Sequence, residues 1–382
     1  MTRPNIAPEN LARPEVIALT PYASARRIIA AAGCRGEVWL NANESAEGNS
    51  PESIALTPDV LARLNRYPEP QPEEVIRRYG AYAGVAEEGI LVTRGGDEGI
   101  DLLVRTFCRP GVDAVLDFPP TYGMYSVAAE TAGVRVERLT TDPAKNWVPD
   151  VTALSAKLDS DPTIRVVFAC SPNNPTGGVL PSSVIEGLIE ATRGRAILVI
   201  DEAYIDFAPE ASAKNYLATA PHLVLIRTLS KAFALAGIRC GFLLGSTAVI
   251  GMLKKVIAPY PVPIPVSVIA EAVLSAEGIS AMRERSARMI ARRVVLAAAL
   301  EKLPTVKRVV LGAGNFLLVR FTDAATSRML YLALRKKGVI VREQASQPGL
   351  ADALRVTVGT AEENALLLQL LVDFSNAPKK DL

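Results

Sequence analysis

The sequence predicts an α/β fold, with a large domain built on a mainly parallel seven-stranded sheet and a smaller α+β domain behind it in the chain. Three observations lead there. From about Gly89 to Leu244, short strand-like apolar runs alternate with stretches of helical periodicity, the pattern of a parallel sheet covered by helices. Four prolines then fall within the nine residues Ile257 to Pro265, a rigid stretch of the kind found between domains. The length of 382 residues also exceeds what a single hydrophobic core ordinarily organises.

In chain order, residues 1–38 have little sheet character and read as an arm that joins the small domain or a second subunit. Residues 39–263 form the large domain, with strands expected at Ile90–Val92, Asp113–Asp117, Val134–Leu139, Arg165–Cys170, Ala196–Ile200, Leu223–Arg227 and Arg239–Leu244. Helical periodicity lies between several of them, as at Gly99–Phe107 and Val184–Thr192. Residues 264–382 form the small domain. Its long helical stretch from Val266 to Leu303 breaks near Gly278, and short strands follow at Arg308–Leu311, Phe316–Phe321, Val339–Arg342 and Leu354–Val358. Helices are expected at Ala325–Lys337 and Glu362–Asn376.

Composition narrows the function. Hydrophobic residues make up 49% and charged residues 21%, which describes a packed enzyme-like chain rather than a disordered one. Lys+Arg 42 against Asp+Glu 40 leaves a net charge of +2, with no basic block for nucleic acid. No run approaches the roughly 18 apolar residues of a membrane span; with the polar opening residues, this predicts a cytoplasmic protein. Cys34, Cys108, Cys170 and Cys240 are scattered without a paired motif, as reduced thiols would be. The lone histidine, His222, reads as a surface residue and cannot build a multi-histidine metal centre, so no metal is expected. Neither a nucleophile elbow nor a dinucleotide or Walker loop is present, and the reactive group of an enzyme would be a borrowed one.

Four segments carry chemistry. Lys231 lies in Arg227-Thr228-Leu229-Ser230-Lys231-Ala232-Phe233-Ala234-Leu235-Ala236-Gly237-Ile238-Arg239, where the run that follows it should pack, and desolvation makes a lysine amine easier to deprotonate and more nucleophilic. Asp201 ends an apolar strand and needs a cation or strong donors there. Thr93 to Gly99 joins a strand to a helix through Gly95 and Gly96, exposing amides at the positive end of a helix where phosphate binds; the alternative is a helix cap by Asp97. Cys170 to Gly178 follows a strand and reads either as a proline-glycine turn or as part of the same site. Ligands gather beyond the carboxyl ends of such sheets, where most of these residues fall.

These parts, with Trp39-Leu40-Asn41-Ala42-Asn43-Glu44, Arg66-Tyr67-Pro68-Glu69 and Pro119-Pro120-Thr121-Tyr122-Gly123-Met124-Tyr125, resemble the fold-type I aminotransferases that use pyridoxal 5′-phosphate, and among them the histidinol-phosphate aminotransferase family. The likeness runs from about Leu19 to about Asp373. It implies that Lys231 bonds the cofactor and then shuttles a proton, that Asp201 pairs with the ring nitrogen, and that Asn174 and Tyr204 donate to the ring phenolate. It further implies that Tyr122 stacks on the ring, and that Gly96, Asp97, Ser230 and Arg239 hold the phosphate. Tyr67 would reach that phosphate from the neighbouring subunit of a homodimer.

On the substrate side the resemblance points to Arg355 as the grip on the carboxylate, with Arg342, Tyr22 and Asn43 as further contacts; on the residues alone, Arg355 could also be a sheet-surface salt bridge. The implied reaction transfers the amino group of histidinol phosphate to 2-oxoglutarate, giving imidazole acetol phosphate and glutamate in histidine biosynthesis. Alternatives on the same scaffold are an aromatic amino-acid aminotransferase, a phospho-amino-acid decarboxylase and a non-catalytic cofactor-binding regulator. Two departures from the family stand out. Ser45-Ala46-Glu47-Gly48-Asn49-Ser50 replaces the expected aromatic and proline, suggesting a longer, more flexible loop, and Gly96 stands where relatives carry alanine or serine.

Overall fold

The computed structural model describes residues 11–19 and 37–376; Tyr22 and Cys34 lie outside them. Strands are β1 (Val38–Trp39), β2 (Ile90–Thr93), β3 (Ala114–Asp117), β4 (Arg135–Arg138), β5 (Ile164–Cys170), β6 (Ile197–Asp201), β7 (Leu223–Thr228), β8 (Gly241–Gly245), β9 (Val306–Val310), β10 (Phe316–Phe321), β11 (Val339–Ile340), β12 (Arg342–Glu343) and β13 (Ala353–Thr357). Helices are α1 (Pro14–Ile17), α2 (Pro58–Ala62), α3 (Glu73–Ala83), α4 (Gly96–Phe107), α5 (Met124–Thr131), α6 (Val151–Ser160), α7 (Ser182–Thr192), α8 (Thr247–Leu253), α9 (Ile264–Val273), α10 (Ala276–Leu300), α11 (Ala324–Lys336) and α12 (Ala361–Asn376).

The large sheet has seven strands in the order β2-β8-β7-β6-β5-β3-β4. Only β8 runs against its neighbours, pairing antiparallel with β2 and β7, while β7, β6, β5, β3 and β4 pair in parallel. Its central strands are mostly apolar and almost wholly buried, as a sheet covered on both faces requires. Each expected strand is present. The last starts at Gly241 instead of Arg239, because Arg239 adopts a left-handed backbone (φ 56°) that ends any extended run before it.

A second, antiparallel sheet has the order β12-β13-β10-β9, and β1 pairs in parallel with β11. The expected strand Val339–Arg342 is therefore split: its first half holds the N-terminal β1, and its second half joins the antiparallel sheet. Leu40, beside β1, is buried in the same core as Leu317, Val319, Leu354 and Leu371.

The prolines suggested a division at 263/264, but packing places α9 elsewhere. Ala270, Val273 and Leu274 share the core of the large sheet with Val75 and Tyr79 of α3, and Arg78 Nη1 donates to Glu271 O at 2.8 Å. Helix α10 spans both cores: Met282 is buried in the first and Leu296, Ala297 and Leu300 in the second. The break between α9 and α10 falls at Leu274–Ser275, where Ser275 Oγ accepts the Gly278 amide. Among the described residues no single helix is long and apolar enough to cross a membrane; the pair α9 and α10 passes by length and composition only when joined across a 73° bend. His222, expected at the surface, is half-buried with its ring Nε2 3.0 Å from Ile189 O.

Candidate active site

The cleft is assembled from the carboxyl ends of the large sheet and from one edge of the second sheet. Strand β6 delivers Asp201 into the interior, where it is 4% exposed. Tyr125 Oη of α5 donates to its Oδ2 at 2.8 Å, and the Ala203 amide donates to its Oδ1 at 3.0 Å. Burial outweighs the two donors, which act to lower it, and leaves this carboxyl raised to about 6. The requirement for strong donors is met, but by Tyr125, which the sequence analysis quoted only as part of a motif.

Lys231 follows β7, and the residues beyond it pack as expected: Ala232, Phe233 and Leu235 are buried. Its Nζ keeps partial access to the cleft and donates to Ala42 O at 3.1 Å. Burial first, and the Arg355 charge second, push the amine down to about 8. The Nζ also lies 5.7 Å from the centre of the Tyr204 ring.

Between β2 and α4 the chain turns through Gly95 at φ 84°. A Cβ on Gly95 would stand 2.7 Å from Arg239 Nη2, and one on Gly241 would stand 2.6 Å from the Gly95 carbonyl carbon. Gly95 lets the Arg239 guanidinium approach the start of α4, whose first amides have no partner within the helix, and Gly241 lets β8 approach the Gly95–Gly96 turn. Arg239 Nη2 donates to Asp97 Oδ2 at 3.1 Å and Nη1 to Ser230 Oγ at 3.4 Å. Thr228 Oγ1 donates to Ser230 Oγ at 2.8 Å, an orienting contact that the sequence analysis missed. Asp97 is not the helix cap: the cap position is Gly95, and the Asp97 carboxylate instead accepts from Arg239 and from Tyr122 Oη at 2.9 Å.

Over this floor runs the segment Asn41 to Glu44. Asn41 O accepts from Arg355 Nη2 at 2.5 Å, and Arg355 Nη1 donates to Asn174 Oδ1 at 2.6 Å. At 9% exposure, Arg355 is buried rather than lying on the surface of its sheet. Tyr204 Oη accepts from Asn43 Nδ2 at 2.9 Å and from Asn174 Nδ2 at 3.3 Å, and burial pushes its phenol up to about 12. Asn43 is fully committed: Thr357 Oγ1 donates to its Oδ1 at 3.1 Å and accepts its amide at 3.0 Å. Asn315 Nδ2 donates to the carbonyls of Asn43 and Glu44. Thr357 and Asn315 were not singled out from sequence. The available signal was spacing, since Thr357 lies two residues beyond Arg355 on the same face of β13.

Arg342, on β12, lies directly opposite Arg355 across the antiparallel pair, so the two side chains share a face, and Arg342 is exposed. Tyr67 is 81% exposed and stacks on Tyr260 with ring centres 4.7 Å apart. The loop at Ser45–Ser50 is held, contrary to the expectation of flexibility. Glu47 pairs with Arg288 at 2.7 Å and Arg292 at 2.5 Å. Asn49 bridges Arg285 and the Phe233 carbonyl.

Comparison with known proteins defines the class. The family model for aminotransferase class I and II matches residues 35–371, and the chain belongs to this family. Within it, the chain is 51% identical over 362 residues to histidinol-phosphate aminotransferase of Escherichia coli strain SMS-3-5, covering 95% of this chain and 97% of that one. Two crystal structures share the fold. One is histidinol-phosphate aminotransferase from Sinorhizobium meliloti in complex with pyridoxal-5′-phosphate, with a TM-score of 0.85, 20% identity, and 95% and 96% of the two chains covered. The other, from Clostridium acetobutylicum, has a TM-score of 0.80 and 23% identity, with 89% and 99% covered.

Proposed function

We propose that this chain is a pyridoxal-phosphate-dependent aminotransferase of histidine biosynthesis, converting L-histidinol phosphate and 2-oxoglutarate into imidazole acetol phosphate and glutamate. The observation that carries the reading is the 51% identity over 95% of the chain to an enzyme of that name. The residues fit the cofactor. A buried carboxylate, an amine pushed down to about 8 and a cradle cleared by Gly95 and Gly241 meet in one cleft. These suit a ring nitrogen, an aldehyde and a phosphate respectively.

When bound, pyridoxal phosphate supplies an electron sink for the pair released at the substrate Cα. The protein does the rest. Lys231 Nζ would hold the cofactor at its aldehyde carbon and, when not so engaged, would serve as the base that takes the substrate Cα proton and the acid that gives it up again; positioned proton transfer of this kind contributes about 10²–10⁴ in rate. Asp201 would hold a proton on the ring nitrogen. Asn174 and Tyr204 donate to the phenolate oxygen, and Asn43, through its bond to Tyr204 Oη, positions that phenol rather than touching substrate. Tyr122 covers the ring, tied at its hydroxyl to Asp97. The amides of Gly96 and Asp97, Ser230 Oγ and the Arg239 guanidinium hold the phosphate.

Arg355 exchanges its bonds to Asn174 and Asn41 for the substrate's anionic group, and its planar fork accepts carboxylate or phosphate. Arg342 on the same face adds a second positive charge for the phosphate dianion. The small unit begins along α10 rather than at residue 264. The enzyme works as a homodimer: Leu61, Leu64, Tyr67 and Tyr260 are 47–81% exposed, an apolar surface that a second subunit would cover while carrying Tyr67 to its partner's phosphate. A cytoplasmic setting suits the free buried thiols of Cys108, Cys170 and Cys240. Steady-state rates on a substrate panel test the reading. Histidinol phosphate should exceed phenylalanine in kcat/KM, and a tenfold preference for phenylalanine would replace it with an aromatic aminotransferase.

A further inference from the structure

Behind Asp201 stands a hydroxyl to which the reaction as described assigns no task. Tyr125 is fully buried, and its ring lies flat on Phe168 of β5, with centres 4.7 Å apart and planes 3° apart. A buried phenol must find a hydrogen-bond partner, and this one donates to Asp201 Oδ2 at 2.8 Å. Burial raises the phenol well above its ordinary range, so the proton stays on Tyr125 and the hydroxyl remains a donor.

The other groups facing Asp201 do not supply this support. Cys170 is its neighbour across the β5–β6 ladder, a thiol kept neutral by burial, with Sγ on Pro172 O at 3.3 Å. Asp97 of α4 and the adjacent Glu202 are acidic and oppose ionisation of Asp201. Asp97 is already tied to Arg239, and Glu202 to Arg227. The phenols of Tyr122 and Tyr204 are raised by burial and stay neutral. Among the described residues, Tyr125 is the side chain that donates to this carboxylate.

We propose that Tyr125 is a positioning residue: its hydroxyl keeps Asp201 ionised and fixed in rotation, and so sets the pH below which the protein loses its hold on the cofactor's ring nitrogen. The inference rests on the reading of Asp201 as the ring-nitrogen partner. A donor to a carboxylate favours its charged form, so removing the donor makes Asp201 take up a proton at higher pH.

The test is equilibrium dialysis of pyridoxal phosphate against apoprotein from pH 5 to 9, which requires no turnover. Tyr125→Phe keeps the ring and loses the donor; the acid limb of binding should move up by about one pH unit, weakening binding about tenfold near pH 6 with little change above pH 8. Phe168→Leu keeps the hydroxyl and should leave the limb with the wild type. Asp201→Asn should remove the limb, and the double variant Y125F/D201N should match D201N. A Y125F limb that coincides with the wild type overturns the proposal. So does an equal shift in F168L, or a further loss when Y125F is added to D201N. If D201N itself binds as the wild type does, the reading of Asp201 fails instead.

Discussion

Asp201, Lys231 and Arg239 stand at strand ends or in adjoining turns of one sheet, whereas Arg355, Arg342 and Thr357 come from another, and the segment Asn41–Glu44 lies between the two sets. The difference shows in how each set is bonded. On the sheet side the groups are held off balance: a carboxyl raised to about 6 and an amine lowered to about 8 are both destabilised as ions by burial. On the proposed reading, a ring nitrogen would relieve the carboxyl and an aldehyde would relieve the amine. On the other side Arg355 is engaged by Asn174 and by the Asn41 carbonyl at 2.6 and 2.5 Å. On the proposed reading of Arg355 as the substrate grip, an anionic substrate would compete with those partners for the guanidinium, and the tie between Arg355 and the Asn41–Glu44 segment would loosen. One half of the cleft is built to be filled, and the other to be exchanged.

The contrast is tested most severely at Lys231. Lys231→Ala should lower transamination by about 10⁴-fold and abolish the absorbance of the lysine-bound cofactor, while the phosphate cradle still binds the free cofactor. Retention of either activity or that absorbance would remove Lys231 from the centre of the reaction. Arg355→Lys probes the other half. It keeps a charge but loses the two-pronged geometry, and kcat/KM should fall about 10²-fold for both histidinol phosphate and glutamate. Cofactor content should not change. A loss of bound cofactor in this variant would show that the two halves are not separable.

How much of this contrast was legible in the sequence follows the same line. The seven strands of the large sheet could be read because buried parallel strands are short apolar runs with turn residues between them, and Asp201 and Lys231 followed as polar residues at the ends of such runs. The bonds that orient them were not legible. Tyr125, Thr357 and Asn315 are ordinary polar residues whose partners lie far away in the chain, as with Asn315 and Asn43 at a separation of 272. Nothing local marks such pairs. The loop at Ser45–Ser50 was misjudged for the same reason: its small polar composition suggests freedom, but its anchors are Arg285, Arg288 and Arg292 of α10. Proline density near residue 263 reports chain stiffness and not which core a helix joins, and α9 packs in the core of the large sheet.

Arg342 sharpens the comparison at a smaller scale. It is exposed and shares the Arg355 face, so Arg342→Ala should reduce kcat/KM for histidinol phosphate about tenfold, the share of one charge-assisted contact to a dianion. The effect on glutamate should be several-fold less. Equal losses on both substrates would assign Arg342 to the sheet rather than to the choice of substrate.

The smallest effect concerns stability and the claim that the sheet side is held off balance. In the apoprotein the Lys231 amine is lowered from 10.5 to about 8, chiefly by burial. Below pH 8 both the folded and the unfolded chains carry the proton, and the folded state bears the cost of a charge it solvates poorly. Lys231→Met removes that charge while keeping an unbranched apolar stem. At pH 7 the variant apoprotein should therefore be more stable than the wild type, by about 1–2 kcal/mol given the amine's partial access to water. Between pH 8 and 10.5 the unfolded wild type binds a proton that the folded protein has released, so wild-type stability rises with pH across that window. The gap should shrink between melts at pH 7 and pH 10. A gap that stays constant would mean that burial of the ammonium costs the fold nothing, and that the amine is lowered only once the cofactor arrives.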